Sequence, residues 1–187
     1  MKFIIAIIIL LSALSCGPTT TGNPIKPVTL RMEDRQPLAF LRRTSDFFIP
    51  EARAAVSNTK FCFKRLRFKP DEFTAGSNID LTIGQVDIDP AGTNLLTVSV
   101  PEGVYERIEF DLDKDCDGVP GKPSVIFTNG NGTFSTNDSM TIKFNGSFRV
   151  GSTETLTLDI DALLDALDPL NNGAGIKAAL ESALGDF

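Results

Sequence analysis

The chain has 187 residues, with 24 acidic and 18 basic side chains that leave a net charge of −6 at pH 7. This acidic balance argues against nucleic acid as a partner, because nucleic-acid binding needs clustered basic charge. Histidine and tryptophan are both absent, which excludes histidine-dependent hydrolase triads and argues against an aromatic-lined sugar cleft. We therefore expect no enzyme activity and assign no catalytic residues.

Residues 1–15 are predicted to be an export signal peptide. Lys2 is followed by the apolar run Phe3–Leu11 and then by small residues, which is the order of regions in such signals. The run is shorter than the roughly 20 apolar residues that a transmembrane helix needs. The next stretch, Ala13-Leu14-Ser15-Cys16, resembles the lipobox of bacterial lipoproteins, although that family more often has leucine at the position of Ala13.

The lipobox resemblance implies a covalent lipid on Cys16, which would become the first residue of the mature protein. The alternative is an ordinary signal peptide with a cysteine near its cleavage site. Gly17 follows instead of aspartate, so the common signal for retention at the inner membrane is absent. The resemblance therefore implies that the domain is anchored to the bacterial outer membrane, on its periplasmic or surface face. Residues 16–27, rich in Gly, Pro, Thr and Asn, are predicted to be the lipidated tether.

A mainly β domain is predicted after the tether. Residues 28–58 are predicted to be a lead-in with a strand and a short helix beginning at Pro50. In residues 59–187, runs of alternating apolar and polar side chains are separated by turn residues, which predicts an antiparallel β-sandwich of seven to eight strands. The alternation changes parity near Lys64-Arg65, which predicts a β-bulge. Asn129-Gly130-Asn131-Gly132 predicts a hairpin turn.

Two short helices are predicted at the C-terminus. Asp161 is placed to cap a helix over 162–167, which Asp168-Pro169 ends. In a second helix, apolar side chains recur at helical spacing and share one face: Ile176, Ala179, Leu180, Ala183 and Leu184. We expect this face to pack on the β domain, and the alternative is that it docks on a partner.

The region from Phe61 to Asp161, a little over half of the chain, resembles a family of bacterial lipoprotein domains known as DUF4382, and three stretches carry the resemblance. They are Phe61–Phe68, Val100–Phe110 and Thr155–Asp161. The Pro-x-Gly-x-Tyr block within the second stretch also resembles transthyretin-like and carboxypeptidase-regulatory-like sandwiches. The resemblance implies a β-sandwich with no catalytic residues. Tyr105 falls out of parity with Ile108, which predicts that its hydroxyl bonds to the backbone as in a tyrosine corner.

An acidic loop is the sharpest local motif. Asp113, Asp115 and Asp117 precede Gly118 in the pattern D-x-D-x-D-G, and the carbonyl oxygen of Val119 would add a fourth ligand. Alternate carboxylates on a turning chain are typical of calcium loops, so the pattern predicts a weak Ca²⁺ site. The twelfth loop position, glutamate in an EF-hand, is Ser124 here, so the site would be incomplete. The alternative is a solvated acidic turn.

Cys62 and Cys116 are the cysteines that remain once Cys16 carries a lipid. Exported proteins meet oxidising conditions, in which a pair of cysteines can form a disulfide. The alternative is two unpaired thiols, because the spacing of the two cysteines does not show whether they approach each other.

These features suit two functional hypotheses, of which one is preferred. The preferred hypothesis is a lipid-anchored module of the cell envelope that binds a ligand or serves a structural role without catalysis. The alternative is a calcium-stabilised adhesion or surface-assembly subunit. In both, the membrane is contacted through the lipid, and the other partner is an envelope protein or a surface ligand.

Overall fold

The computed structural model describes residues 24–35, 56–70, 83–151 and 155–187. The predicted signal peptide, Cys16 and all but Val56 of the helix predicted over residues 50–56 lie outside these ranges. Within them, the mainly β prediction is confirmed, with 59% of residues in strands and 16% in helices. None of the helices in these ranges combines the length and apolar character that crossing a membrane requires.

The described ranges contain ten strands and two short α-helices. The strands are β1 (Ile25–Glu33), β2 (Ser57–Pro70), β3 (Gly84–Ile88), β4 (Thr93–Pro101), β5 (Gly103–Leu112), β6 (Val125–Asn129), β7 (Gly132–Thr136), β8 (Met140–Val150), β9 (Thr155–Asp159) and β10 (Leu184–Asp186). The helices are α1 (Asp161–Leu167) and α2 (Ile176–Ser182), and 3₁₀ turns span Cys116–Gly118 and Gly173–Gly175.

The prediction of an antiparallel sandwich of seven to eight strands is wrong in strand number and strand direction. The strands form one curled sheet in the order β4-β1-β9-β10-β8-β5-β2-β6-β7, with β3 paired to β2. The pairs β1–β9 and β8–β10 are parallel, so the sheet is mixed. Alternation along a strand shows which residues share a face, but it carries no information about the neighbouring strand or its direction.

Strand β1 begins inside the predicted tether. Residues 25–27 belong to it, and the strand pairs with β4 on one side and β9 on the other. Val28, Leu30 and Met32 alternate and are fully buried. Residues 28–33 of the predicted lead-in therefore form part of an inner strand of the sheet, and this short alternation is its signal in the sequence.

The long strand β2 joins two parts of the sheet. Residues 57–63 pair with β3 and β6, and residues from Phe63 onward pair with β5. A register shift between Phe63 and Arg65 confirms the predicted bulge. Because the bulge changes the parity, Phe63 and Leu66 are both fully buried. Around them the core is rich in phenylalanine, with the rings of Phe63 and Phe110 centred 5.0 Å apart.

Two turn predictions are also confirmed. Asn129 pairs with Gly132 across the β6–β7 hairpin. The hydroxyl of Tyr105 donates to the carbonyl oxygen of Pro101 at 2.9 Å, which is the expected bond from the side chain to the backbone. Tyr105 is fully buried, and this burial raises the pKa of its phenol. The bond holds the β4–β5 corner against the core.

The C-terminal tail packs on its own domain, as predicted, but its second helix is shorter than predicted. Ile176 and Leu180 in α2 are fully buried, whereas Leu184 is 50% exposed. Ala183 is extended, and the chain then enters β10 between β8 and β9. A side chain at Gly185 would lie 2.4 Å from the ring of Phe144, so glycine is what allows this close insertion.

The predicted cap of the first tail helix is wrong. Asp161 is the first residue of α1, and Ile160 occupies the N-cap position. The Oδ1 atom of Asp159 accepts a hydrogen bond from the Asp161 amide at 3.0 Å. The aspartate two residues before Asp161 therefore accepts from the first amide of the helix.

Candidate functional site

The acidic loop lies at the end of β5, where a disulfide ties it to β2. Cys62 lies in β2 and Cys116 begins the 3₁₀ turn. Their Cα atoms are 5.7 Å apart and their sulfur atoms are bonded. Both side chains are buried. The disulfide anchors the loop to the core, while the aspartates around Cys116 remain near the surface.

Each predicted calcium-binding carboxylate has its own partner within the protein. Asp113 Oδ1 accepts from Lys64 Nζ at 2.9 Å, and Asp117 Oδ2 accepts from Lys122 Nζ at 2.5 Å. Asp115 Oδ1 accepts from the Gly121 amide at 2.7 Å and from Asn137 Nδ2 at 2.6 Å. The three carboxylates therefore bind separate donors.

The loop does not form a preorganised calcium site. In the described ranges, the group of potential ligand atoms lying within 4.8 Å of one another consists of Cys62, Cys116 and Asp117. Its sulfur atoms form the disulfide, so they are not thiolate ligands. The Val119 carbonyl oxygen accepts from the Lys122 amide at 3.0 Å. A calcium ion would have to displace these bonds, so calcium binding stays a prediction without support from the geometry.

Hydrogen bonds from other residues of the protein hold the loop in its observed conformation. Asp115 and Asp117 have φ values of 57° and 56°, in the left-handed region that aspartate tolerates better than most residues. Asp115 is held by Asn137, whose Oδ1 accepts from the Asp115 amide at 2.7 Å and whose Nδ2 donates to the carboxylate. The hydrogen bonds from Asn137 and from the Gly121 amide lower the pKa of Asp115. Asn137 was missed in the sequence because it lies 22 residues away.

Asp117 also packs closely against β3. A Cβ atom on Gly84 would lie 2.9 Å from Asp117 Oδ1, and Gly84 has a φ of +86°. Both the backbone conformation and the lack of space require glycine there. The loop, the disulfide and the first residue of β3 thus form one packed unit.

The outward face of β2, β5 and β8 carries a ladder of charges. In the register, Arg65 faces Asp111, Arg67 faces Glu109 and Lys69 faces Arg107. Arg67 donates to Asp111 Oδ1 at 2.5 Å, and the Thr141 hydroxyl donates to the same oxygen at 2.7 Å. This face has no local signature in the sequence, because partners such as Arg67 and Asp111 lie 44 residues apart.

A shallow cleft of about 550 Å³ lies between this ladder and α2. Its lining includes Lys64, Arg67, Asp111, Asp113, Lys177 and Glu181. Lys177 Nζ donates to the Ser139 carbonyl at 2.8 Å and lies 3.9 Å from Glu181. The charged groups of the cleft bind one another, and such exposed ion pairs contribute at most about 1 kcal/mol each to stability.

Searches of protein-family models, of curated proteins and of solved structures find no match for this chain. The resemblance to the DUF4382 lipoproteins therefore rests on the residues quoted above. The class that the fold and the site define is a mainly β domain, with a curled mixed sheet and a disulfide-tethered acidic loop.

Proposed function

We propose that the protein is a lipid-anchored module of the bacterial cell envelope, which binds a ligand or serves a structural role without catalysis. The observation that carries the proposal is the buried disulfide between Cys62 and Cys116. Structural disulfides persist in oxidising compartments, and the signal-like residues 1–15 would deliver the chain to such a compartment. Cys16 would hold it on the outer membrane, facing the periplasm or the surface.

The surface supports a binding or structural role. The charges in the large cleft are paired with one another, and the two buried side chains of α2 pack on the chain's own sheet. The absence of histidine removes the usual general base. A partner would therefore be recognised by the surface of the sheet and its loops, and the candidates are an envelope protein or a surface ligand.

Replacing Cys16 by serine tests the anchor. Cys16→Ser removes the thiol that would carry the lipid, so we expect the protein to leave the membrane fraction or to accumulate as uncut precursor. Fractionation of cells and the mass of the product measure both outcomes. Ser12→Ala is the matched control, because it changes the same segment but leaves the Cys16 thiol in place and should leave fractionation unchanged. Normal processing and membrane recovery of Cys16→Ser would refute the anchor.

The calcium-stabilised adhesion or assembly subunit is the second hypothesis, and the D-x-D-x-D-G loop is its basis. It expects the melting temperature to rise in millimolar calcium, following the binding term RT ln(1 + [L]/Kd). Asp115→Asn/Asp117→Asn should lose that rise, and Asp165→Asn, an exposed change on α1, should keep it. Equal melting in calcium and in chelator would reject this hypothesis and leave the envelope module standing.

A further inference from the structure

Two cations face each other on the outward side of the sheet. Lys69 of β2 is the register partner of Arg107 of β5, and their side chains are 32% and 45% exposed. Like charges directly opposite each other destabilise a sheet. The arrangement therefore costs stability unless an anion lies between the two groups.

The nearest carboxylate, Glu109, is shared among three cations. Glu109 lies 3.1 Å from Arg107 Nε, 3.4 Å from Arg67 and 3.9 Å from Lys69. Arg67 is bound more closely by Asp111, at 2.5 Å. Counting also Glu106 and Lys143, the register partner of Glu109, four cations share three carboxylates on this part of the face. Asp111 lies at the far end of this ladder and binds Arg67, so the excess of one positive charge falls at the end that holds Lys69 and Arg107.

A depression of about 210 Å³ opens beside these two cations. It is lined by Lys69, Pro70, Glu106, Arg107 and Asn145. Asn145 of β8 is the register partner of Arg107, so three adjacent strands each supply a donor group. An ammonium, a guanidinium and an amide together suit a tetrahedral oxyanion, and arginine binds phosphate oxygens in pairs. Glu106 at the same depression favours a singly charged phosphodiester over a dianion.

The depression lies toward the end of the sheet where strand β1 begins. Ile25 pairs with Pro101, and the Glu102 amide donates to the Pro24 carbonyl at 2.7 Å. Strand β5 starts one residue later, at Gly103. The residues from Cys16 to Pro24 span at most about 28 Å when fully extended. A lipid on Cys16 would therefore keep this end of the sheet near the headgroups.

We propose that Lys69, Arg107 and Asn145 form a binding site for a phosphate group, and that the phosphate belongs to an anionic phospholipid headgroup. The choice of phospholipid rests on the proposed lipid anchor. The phosphate site itself rests on the cation pair and the depression. Binding would neutralise the repulsion between Lys69 and Arg107 and orient the sheet on the membrane.

The test uses the full-length protein in uncharged detergent micelles. Phosphatidylglycerol or inorganic phosphate is titrated at a pH of about 5.5, where inorganic phosphate is mainly singly charged, with phosphatidylcholine and chloride as controls, and the melting temperature is recorded. We expect phosphatidylglycerol and inorganic phosphate to raise it, with phosphatidylglycerol effective at lower concentration. Lys69→Gln should weaken the response about tenfold or more, since it removes a charge-assisted bond. Arg107→Gln should do the same. Lys60→Gln, which removes a cation paired with Asp87 at 2.6 Å, is the matched control.

The possible outcomes separate the two proposals. An equal response of wild type and Lys69→Gln, or no response to either phosphate source, overturns the phosphate site. A response to inorganic phosphate alone overturns the phospholipid as its source. Cys16→Ser in the same micelles should keep the full response, because the site does not include the lipid. Loss of membrane anchoring in cells is measured separately, so failure of the anchor does not imitate failure of the site.

Discussion

Replacing Cys62 and Cys116 together by alanine is expected to lower the free energy of unfolding by about 4 kcal/mol. The bond spans 54 residues, and without it the unfolded chain gains the conformational entropy of a long open loop. Urea denaturation of the wild type and of the double variant measures the difference. The slope of the transition should change little if the native fold is retained.

Reduction provides the control for this experiment. A reducing agent should destabilise the wild type by a similar amount and leave the double variant unaffected. Hydrogen exchange should become faster in the acidic loop, residues 113–122, since the bond that anchors it to β2 is lost. Exchange in the inner strand β8 should still require global unfolding, so its protection should fall only by as much as the free energy of unfolding falls. An unfolding free energy within 1 kcal/mol of wild type would show that the loop is held by Asn137 and its neighbours without the bond.

Replacing Leu180 by aspartate is expected to cost several kcal/mol, because it buries a charge without a partner. Leu180 lies on α2 and is fully buried. For a domain of this length, such a loss lowers the melting temperature by about 10 °C. Thermal unfolding followed by circular dichroism measures the change.

Leu184→Asp is the matched control, with the same substitution four residues further along the chain. Helical spacing alone puts both leucines on one face and predicts equal losses. Leu184 instead lies in β10 and is 50% exposed, so its substitution should cost less than about 1 kcal/mol. Equal losses would mean that the helix continues through Leu184. A Leu180→Asp protein that melts within a degree of wild type would show that α2 is no part of the core.

Local patterns predicted much of the β structure correctly. The alternation in β5 and β8, the bulge after Phe63 and the hairpin at Asn129 each depend on neighbours a few residues away. The burial of Ile176 and Leu180 follows from helical spacing in the same way. Such features are encoded locally because the side-chain repeat of a helix or a strand can be recognised from a few neighbouring residues.

The pairing of strands that lie far apart in the chain was decided by the tertiary structure. Strand β10 fits between β8 and β9 because Gly185 leaves room for Phe144. Strand β1 joins the sheet through a parallel pair with β9, at the other end of the chain. Neither contact has a local signature, since strand pairing depends on surfaces that meet only after the chain folds.

The same division holds for the candidate sites. From the sequence alone, Asp113, Asp115 and Asp117 were identified as a group, and the predicted export signal with Cys16 gave the expected location. The tertiary structure decided the partner of each aspartate: Lys64, Asn137 and Lys122 reach one carboxylate each. It also set Lys69 beside Arg107 on neighbouring strands. A carboxylate binds the donor that folding brings within about 3 Å, and that distance is decided by strand register and loop path.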